Sequence, residues 1–249
     1  MEVLNDILGY KDRKIFQDDK CFSFSLDSIM LANFVSIRLR DKKILDLGCG
    51  NGVIPLILSL RTDKKIVGIE IQKKMADMAK RSVEYNGLTD KIEIVNMDMK
   101  DFVDQKNIES YDVIVCNPPY FKVRGKNYFN DSIEKQIARH EICITLSDVF
   151  SVSKKLLKNN GIFALVHRPE RFLEILDNFR KNNIEPKRVQ FVYSKIDKDA
   201  TLILVEGQKN GKPGLKIEKP FVLYDEKGSI MPNYLKMQKE VNLDVTKEL

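Results

Sequence analysis

The stretch LDLGCGNGVIP, residues 45–55, connects two apolar runs through a turn that contains three glycines. Gly48, Gly50 and Gly52 stand at alternate positions, where they allow a tight turn and let a ligand approach the backbone closely. The dinucleotide-binding fingerprint is G-x-G-x-x-G, and Val53 occupies the position of its last glycine. The loop alone therefore leaves two interpretations open, a structural turn and a ligand-binding turn.

Strand-like and helix-like segments alternate along the chain on both sides of this loop. The predicted strands are 43–47, 65–70, 91–98, 111–117, 161–167, 186–195 and 200–209, and the predicted helices are 53–60, 71–87, 146–161 and 169–183. Such alternation is typical of an α/β fold with a mostly parallel sheet and helices on both faces. The short link at 196–198 permits a hairpin, so at least one of the last two strands is expected to be antiparallel.

Two segments flank this alternating region, which we assign to residues 41–207. Residues 1–40 contain alternating apolar side chains at 22–26 and then a predicted helix, for which Asp27 is well placed as the N-cap. Residues 208–249 are basic and interrupted by glycine and proline, and we expect them to form a hairpin or arm packed on the same domain.

The composition sets limits on compartment and partners. The 249 residues are 43% hydrophobic, which supports a sizeable core, and contain neither a membrane-length apolar run nor a signal-peptide pattern. Four scattered cysteines without a CxxC pair, and only two histidines, indicate neither a zinc site nor a disulfide framework. Reduced thiols in the cytoplasm are the simplest interpretation. The net charge of +6 weakly favours a polyanionic partner such as nucleic acid.

Polar residues lie at the ends of four successive predicted strands. Asp46 precedes the glycine turn, Glu70 and Asp98 end the second and third strands, and Asn117 ends the fourth. Because the carboxyl ends of parallel strands share one edge of a sheet, these side chains are expected to line one crevice. There, Glu70 could accept hydrogen bonds from a ribose diol and Asp98 from an adenine amino group. Each acid alone could be a helix cap or a solvated loop residue, but repetition at successive strand ends favours a ligand site.

The segment DLGCGNG, together with Glu70 and Asp98, resembles the S-adenosylmethionine-binding motifs of class I methyltransferases across residues 40–205. The resemblance implies a Rossmann-like fold with a seven-stranded sheet whose last strand is antiparallel. It also implies S-adenosylmethionine as cofactor, S-adenosylhomocysteine as product, and no metal. Gly48 and Gly50 would lie near the methionine moiety. The predicted cofactor-binding residues are Asp27, Asp46, Gly48, Gly50, Asn51, Glu70, Ile71, Asp98, Met99 and Asn117.

Asn117, Pro118, Pro119 and Tyr120 follow the fourth strand and match the motif of enzymes that methylate amino groups. An exocyclic amine on a base is a poor nucleophile, because its lone pair is delocalised into the ring. The side-chain oxygen of Asn117 and the carbonyl of Pro118 could accept its two N–H groups and stabilise the developing positive charge. Pro119 restricts Pro118 to extended conformations, and Tyr120 could stack on the target ring. These four residues are the predicted catalytic residues.

The motif specifies a conjugated amine but not its carrier. Adenine N6 in DNA or RNA, guanine N2 in ribosomal RNA and the glutamine amide of release factors are all methylated with similar motifs. Segments 22–35, 139–141, 165–171 and 205–224 together resemble the bacterial tRNA adenine-N6 methyltransferases that modify the adenine beside the anticodon of valine tRNA. That resemblance spans nearly the whole chain. It implies that the segment with Phe22, Phe24 and Asp27 closes over the cofactor.

The expected partner is the anticodon stem-loop of a tRNA, with no membrane and no obligate protein partner. Cations and aromatic rings interleave in residues 121–145, as a loop that binds single-stranded RNA requires, although a charged surface lid would look similar. The predicted RNA-contacting residues are Tyr120, Phe121, Lys122, Arg124, Lys126, Arg139 and His140. Arg139 and His140 could equally hold the loop through ion pairs.

Three alternatives to tRNA adenine methylation remain at this stage. Guanine-N2 methylation of ribosomal RNA would use the same motif. Glutamine-amide methylation is disfavoured because those enzymes usually carry an N-terminal helical domain, and about 40 residues precede the glycine loop here. An RNA-binding protein that has lost turnover is the non-enzymatic alternative.

Overall fold

A mixed β-sheet with helices on both faces organises the chain. The computed structural model describes residues 1–7, 10–18, 26–120 and 144–232. The strands are β1 (Glu2–Ile7), β2 (Tyr10–Asp18), β3 (Lys43–Leu47), β4 (Lys65–Glu70), β5 (Ile92–Asn96), β6 (Tyr111–Cys116), β7 (Leu157–His167), β8 (Ile184–Tyr193), β9 (Ala200–Lys209), β10 (Lys216–Ile217) and β11 (Phe221–Val222). The helices are α1 (Leu26–Phe34), α2 (Val53–Arg61), α3 (Lys73–Tyr85), α4 (Leu146–Leu156) and α5 (Phe172–Lys181), with a 3₁₀ turn at Pro169–Arg171.

The strand order confirms the predicted fold class. Seven strands lie in the order β8-β9-β7-β6-β3-β4-β5. Strands β3 to β7 pair in parallel, and β9 runs antiparallel between β7 and β8. Two short strands bring the described sheet to nine, and the other seven form the predicted seven-stranded sheet, whose last strand in sequence, β9, is reversed. Beyond it, β10 and β11 each pair in parallel with the outer edge of β8.

The two faces of the sheet carry separate apolar cores. Successive strand side chains alternate between them: Ile44 packs with α1, α2 and α3, whereas Leu45 packs with α4 and α5. By the same alternation Asp46 points toward the α1–α3 side. The second core is centred on three phenylalanines, Phe150, Phe163 and Phe179, whose ring centroids lie 4.8–5.6 Å apart. Burial on both faces explains why the central strands read as continuous apolar runs.

Two local predictions need correction. The helix expected over 146–161 ends at Leu156, because Leu157 turns to an extended conformation, is fully buried, and pairs with Tyr111 of β6. In addition, α1 begins at Leu26, so Asp27 lies inside its first turn and does not precede it as an N-cap. The Asp27 side chain therefore remains available for a contact outside its own helix.

An N-terminal hairpin, β1 and β2, was not predicted. Its strands pair antiparallel, and β2 packs on α3 through apolar contacts, such as Phe16 against Met75 and Met78, and through hydrogen bonds. The amide of Phe16 donates to Ser82 Oγ at 3.0 Å, and the carbonyl of Phe16 accepts from Asn51 Nδ2 at 3.1 Å. The guanidinium of Arg81 lies 4.9 Å from the centre of the Phe16 ring. The hairpin thereby fixes Asn51, a residue of the glycine loop.

Helix α1 is held at its C-terminal end by charged side chains. Arg61 donates to the carbonyl of Ala32 and, at 2.9 Å, to that of Val35. Arg188 donates to the carbonyl of Phe34. The carboxylate of Glu206 accepts from the amide and hydroxyl of Ser36, at 2.7 and 2.9 Å. Cations at a helix C-terminus satisfy its free carbonyls and favour its dipole, so this end of α1 is fixed to the sheet.

The remaining described segments add little to the site. An isolated antiparallel bridge joins Tyr224 and Ile230 after β11. None of the helices in the described part of the chain has the length and apolar character needed to cross a membrane.

Replacing Arg61 by methionine should destabilise the protein. Burial already lowers the pKa of Arg61 to about 10, and the change would leave two buried helix carbonyls without a donor. We expect Arg61→Met to reduce the free energy of unfolding by about 1–3 kcal/mol in urea titrations. The control Arg40→Met, at an exposed position, should change it by less than about 0.5 kcal/mol. Equal stabilities of the two variants would contradict the capping role.

Candidate active site

A cavity opens at the carboxyl edge of β3, β4, β5 and β6. Most of the residues predicted for the site line it. They are Gly48, Gly50, Asn51, Glu70, Ile71, Asp98, Met99, Asn117, Pro118 and Pro119. Parallel pairing brings these strand ends together, since Leu47 of β3 lies opposite both Ile69 of β4 and Cys116 of β6. The crevice inferred from the sequence therefore exists as one continuous cavity.

The glycine loop adopts a conformation that other residues rarely reach. Gly48, Gly50 and Gly52 have φ angles of 73°, 57° and 90°, in the left-handed region that favours glycine. A side chain at Gly52 would also approach Ala79 of α3 to 3.2 Å. The amide of Gly48 donates to the carbonyl of Ile69 at 2.9 Å, which attaches the loop to β4. The loop is a fixed turn whose backbone borders the cavity.

Glu70 closes the cavity between the glycine loop and the start of α3. One carboxylate oxygen accepts from the amide of Gly50 at 2.9 Å, and the other accepts from the amide of Gln72 at 2.8 Å. Burial raises the pKa of Glu70, an effect that its backbone hydrogen bonds oppose. Each carboxylate oxygen can accept more than one hydrogen bond, so capacity remains for a ligand's hydroxyl groups.

Asp98 follows β5 and also borders the cavity. One of its oxygens accepts from the amide of Lys100 at 2.9 Å, which fixes the turn after the strand. Ile71 and Met99 supply apolar surface next to Glu70 and Asp98. Acidic groups beside apolar walls suit a ligand that combines polar and flat apolar parts.

Asp46 is fully buried one residue before the cavity lining begins. Among the described residues, neither of its carboxylate oxygens has a hydrogen-bond partner. Burial raises the pKa of Asp46 well above its usual range, and the negative charge of Glu70 adds to this. A buried acid without donors is costly, and it is the kind of group that a ligand's donor can satisfy.

Asn117 lies at the end of β6 within a hydrogen-bonded cluster. Its Nδ2 donates to Ser28 Oγ at 2.9 Å, and its Oδ1 lies 2.7 Å from the hydroxyl oxygen of Tyr120. The same hydroxyl lies 2.6 Å from Oδ2 of Asp27. Asp27 and Ser28 are consecutive residues in the first turn of α1. The structure therefore joins α1 to the Asn-Pro-Pro-Tyr motif, although Asp27 and Tyr120 are outside the cavity lining.

The ring of Tyr120 packs against the end of β7. Its centroid lies 5.0 Å from that of His167 and 5.3 Å from the guanidinium carbon of Arg168. Burial lowers the pKa of His167 to about 4, so the imidazole is neutral at pH 7. Burial and the nearby Asp27 raise the pKa of Tyr120, which keeps its hydroxyl protonated. Stacking of Tyr120 on a target ring stays a prediction.

Ser28 and His167 were missed by sequence reasoning. Ser28 follows Asp27 directly, but only the fold places it beside Asn117, 89 residues away. His167 ends a predicted strand at the same edge as the other polar residues, and this was the available signal.

Several predicted residues lie outside the described part of the chain. They are Phe22, Phe24, Phe121, Lys122, Arg124, Lys126, Arg139 and His140. Their proposed contacts with the cofactor or RNA stay predictions.

The fold and site define a class I methyltransferase. The strand order, the reversed strand β9 and the glycine loop facing acidic strand ends are the features of that class. The chain belongs to the methyltransferase small domain family, whose model matches residues 24–191.

Named relatives cover most of the chain. A Flavobacterium psychrophilum protein named tRNA1(Val) (adenine(37)-N6)-methyltransferase is 26% identical over 208 residues, which span 82% of this chain and 87% of the relative. A Bacteroides thetaiotaomicron protein of the same name is 30% identical over 66% of this chain and 67% of the relative. Among solved structures, a protein from Agrobacterium tumefaciens described as a predicted O-methyltransferase has a TM-score of 0.66 at 21% identity, covering 87% of this chain and 95% of that one. This last likeness concerns the fold alone.

Replacing Asp46 by asparagine should stabilise the protein in a pH-dependent way. Because burial raises the pKa of Asp46, the folded state binds its proton more tightly than the unfolded chain does. The free energy of unfolding of the wild type therefore falls as pH rises from the unfolded pKa, about 4, toward the folded pKa. Between these two pKa values, the advantage of Asp46→Asn should grow by about 1.4 kcal/mol for each step of one in pH.

Urea titrations at several pH values, without cofactor, would measure this difference. Asp90→Asn, at an exposed position, is the matched control and should show no pH-dependent gain. A pH-independent difference for Asp46→Asn would show that the carboxylate is not strained in the folded state.

Proposed function

We propose that this chain transfers a methyl group from S-adenosylmethionine to the exocyclic N6 amine of an adenine in tRNA. The proposed target is the adenine 3′ of the anticodon in valine tRNA, at position 37. The observation that carries the proposal is the presence of Asn117 and Pro118 in one cavity with the glycine loop and Glu70. A donor site and an amine-binding motif are thereby within reach of each other.

The residues present fit S-adenosylmethionine. Asp46 offers two buried oxygens without partners among the described residues, suited to a cationic amino group, and Glu70 keeps acceptor capacity for ribose hydroxyls. The glycine loop leaves room for a ligand beside its backbone, and Asp98 would accept from an adenine amino group. When bound, the cofactor supplies an electrophilic methyl group on a sulfonium.

Asn117 and Pro118 would bind and activate the amine. The amide oxygen of Asn117 and the carbonyl of Pro118 would each accept one N–H of the amine, which localises the nitrogen lone pair and stabilises the charge that develops on it. Pro119 restricts the conformation of Pro118 and so directs its carbonyl. The cavity around them is largely apolar, which strengthens these interactions.

The choice of tRNA rests on the relatives and on physical plausibility. The two relatives described above are named for valine tRNA and adenine 37. The net charge of +6 suits a polyanionic substrate, and an anticodon loop already exposes unpaired bases, so extruding one adenine costs little. The anticodon stem-loop is thus the proposed partner, and the cytoplasm is the proposed compartment.

Incubation with labelled S-adenosylmethionine and unmodified tRNA should give N6-methyladenosine after nucleoside digestion. Valine tRNA should be labelled, and a variant of it with guanine in place of adenine 37 should not. N2-methylguanosine from ribosomal RNA, or label in a release factor, would replace the proposal with one of the alternatives. The absence of product from all three substrates would refute an enzymatic role on them.

Asn117→Ala should greatly reduce turnover while it leaves cofactor affinity nearly unchanged. The variant loses one of two acceptors for the amine, which we expect to reduce kcat by about 10²–10³-fold. Turnover assays and calorimetry with S-adenosylmethionine would separate the two effects. Asn159→Ala, at an exposed position near the opposite end of β7, is the control. Equal losses of affinity and turnover would argue against the role given to the amide.

A further inference from the structure

We infer that Asp27 and Ser28 of α1 are positioning residues that hold the Asn117 amide in its productive orientation, with Asp27 acting through the hydroxyl of Tyr120. The inference rests on the proposed methyl transfer and adds residues that act on the acceptor side of the site.

The cluster contacts both the amide nitrogen and the amide oxygen of Asn117. Ser28 Oγ accepts a hydrogen bond from Asn117 Nδ2 at 2.9 Å, and the Tyr120 hydroxyl lies 2.7 Å from Asn117 Oδ1. The same hydroxyl also lies within hydrogen-bond distance of Asp27 Oδ2, at 2.6 Å. With both ends engaged, the amide cannot rotate without breaking a hydrogen bond, and this defines which way its oxygen faces.

The number of hydrogens in the cluster makes Asn117 receptive to a donor. The Tyr120 hydroxyl has one hydrogen, which cannot satisfy Asp27 and Asn117 at the same time. The two acceptors therefore share this one hydrogen, and the amide oxygen of Asn117 has a second lone pair. The N–H of an incoming amine can donate to that lone pair.

The supports of the cluster are themselves fixed. Arg61 holds the other end of α1 to α2, and Arg188 and Glu206 hold it to the sheet. The ring of Tyr120 is held by His167 and Arg168 at the end of β7. Groups held from both sides need little reorganisation during reaction, and misplacing such a group can reduce a rate by about 10²-fold.

A direct contact between Asp27 and the cofactor makes a different prediction. Ser28 lines the cavity, whereas Asp27 lies outside the lining. Asp46 also lies outside it, but Asp27 differs from Asp46 because its carboxylate already has a partner, the Tyr120 hydroxyl. A cofactor ligand would change the Kd for S-adenosylmethionine when replaced. A positioning residue would change kcat and leave that Kd nearly constant.

The test is a double-mutant cycle with Asp27→Asn and Tyr120→Phe. Each single variant should reduce kcat on tRNA by about 10²-fold, and the double variant should lose no more than about threefold further, since both changes break one chain of contacts. The Kd for S-adenosylmethionine should remain within about twofold of the wild-type value in all three. Ser28→Ala should also reduce kcat, whereas the exposed control Asp90→Asn should not.

Two results would overturn the inference. One is a Kd for S-adenosylmethionine that rises in Asp27→Asn without a change in kcat. The other is a double variant whose loss equals the product of the single losses, because independent roles multiply.

A measurement without turnover separates this inference from the proposed function. The Nδ2 protons of Asn117, assigned by their absence in Asn117→Ala, should give a dispersed and slowly exchanging NMR pair in the wild type. The pair should broaden or shift toward solvent-exposed values in Asp27→Asn and Tyr120→Phe. An unchanged pair would refute positioning even if no tRNA is methylated, and an inactive wild type with the expected NMR changes would refute the proposed function alone.

Discussion

The parallel pairing of β3 with both β4 and β6 is the constraint on which the site depends. Residues at the ends of these strands belong to separate parts of the chain, and only the shared sheet edge brings them together. With Leu47 opposite Ile69 and Cys116, the glycine loop emerges next to Glu70 on one side and Asn117 on the other. A shift of one residue in the pairing of any of these strands would turn its side chains to the opposite face of the sheet. Asn117 would then no longer face the cavity, or Asp46 would no longer point toward the α1–α3 side. The register is held by apolar side chains on both faces, so core packing and site geometry are linked.

Two of the polar groups at this edge of the sheet are buried carboxyl groups, for which ionisation is unfavourable. Asp46 and Glu70 are both buried acids with raised pKa values, and the charge of Glu70 contributes to the raised pKa of Asp46. The Asn-Pro-Pro-Tyr motif is different, since its polar groups are already engaged by Asp27 and Ser28. On the acidic side, Asp46 has two carboxylate oxygens without a donor among the described residues, whereas the Asn-Pro-Pro-Tyr side is held in place by α1.

Much of this arrangement could be predicted from the sequence, because it depends on local signals. The glycines, the apolar runs and the acids at strand ends have fixed spacings, from which the fold class followed. Ten of the cavity-lining residues followed from these signals together with the resemblance to methyltransferase motifs. Contacts between distant segments could not be predicted in this way. Ser28 reaches Asn117 only through the packing of α1 on the sheet. The β1–β2 hairpin escaped notice because its buried side chains, such as Ile7 and Ile15, are isolated among charged residues.

The attachment of α1 has a consequence for biosynthesis. Helix α1 is translated before every strand of the large sheet, yet Ser36, just beyond it, bonds to Glu206 of β9, 170 residues later. Asp27 and Tyr120, which are also in contact, are 93 residues apart in the sequence. Non-local contacts of this kind form late, since the loop between the partners must first be closed. A nascent chain can therefore fold the central parallel strands before β9 is translated, but the contact between Ser36 and Glu206 that holds α1 forms only after β9 has been made.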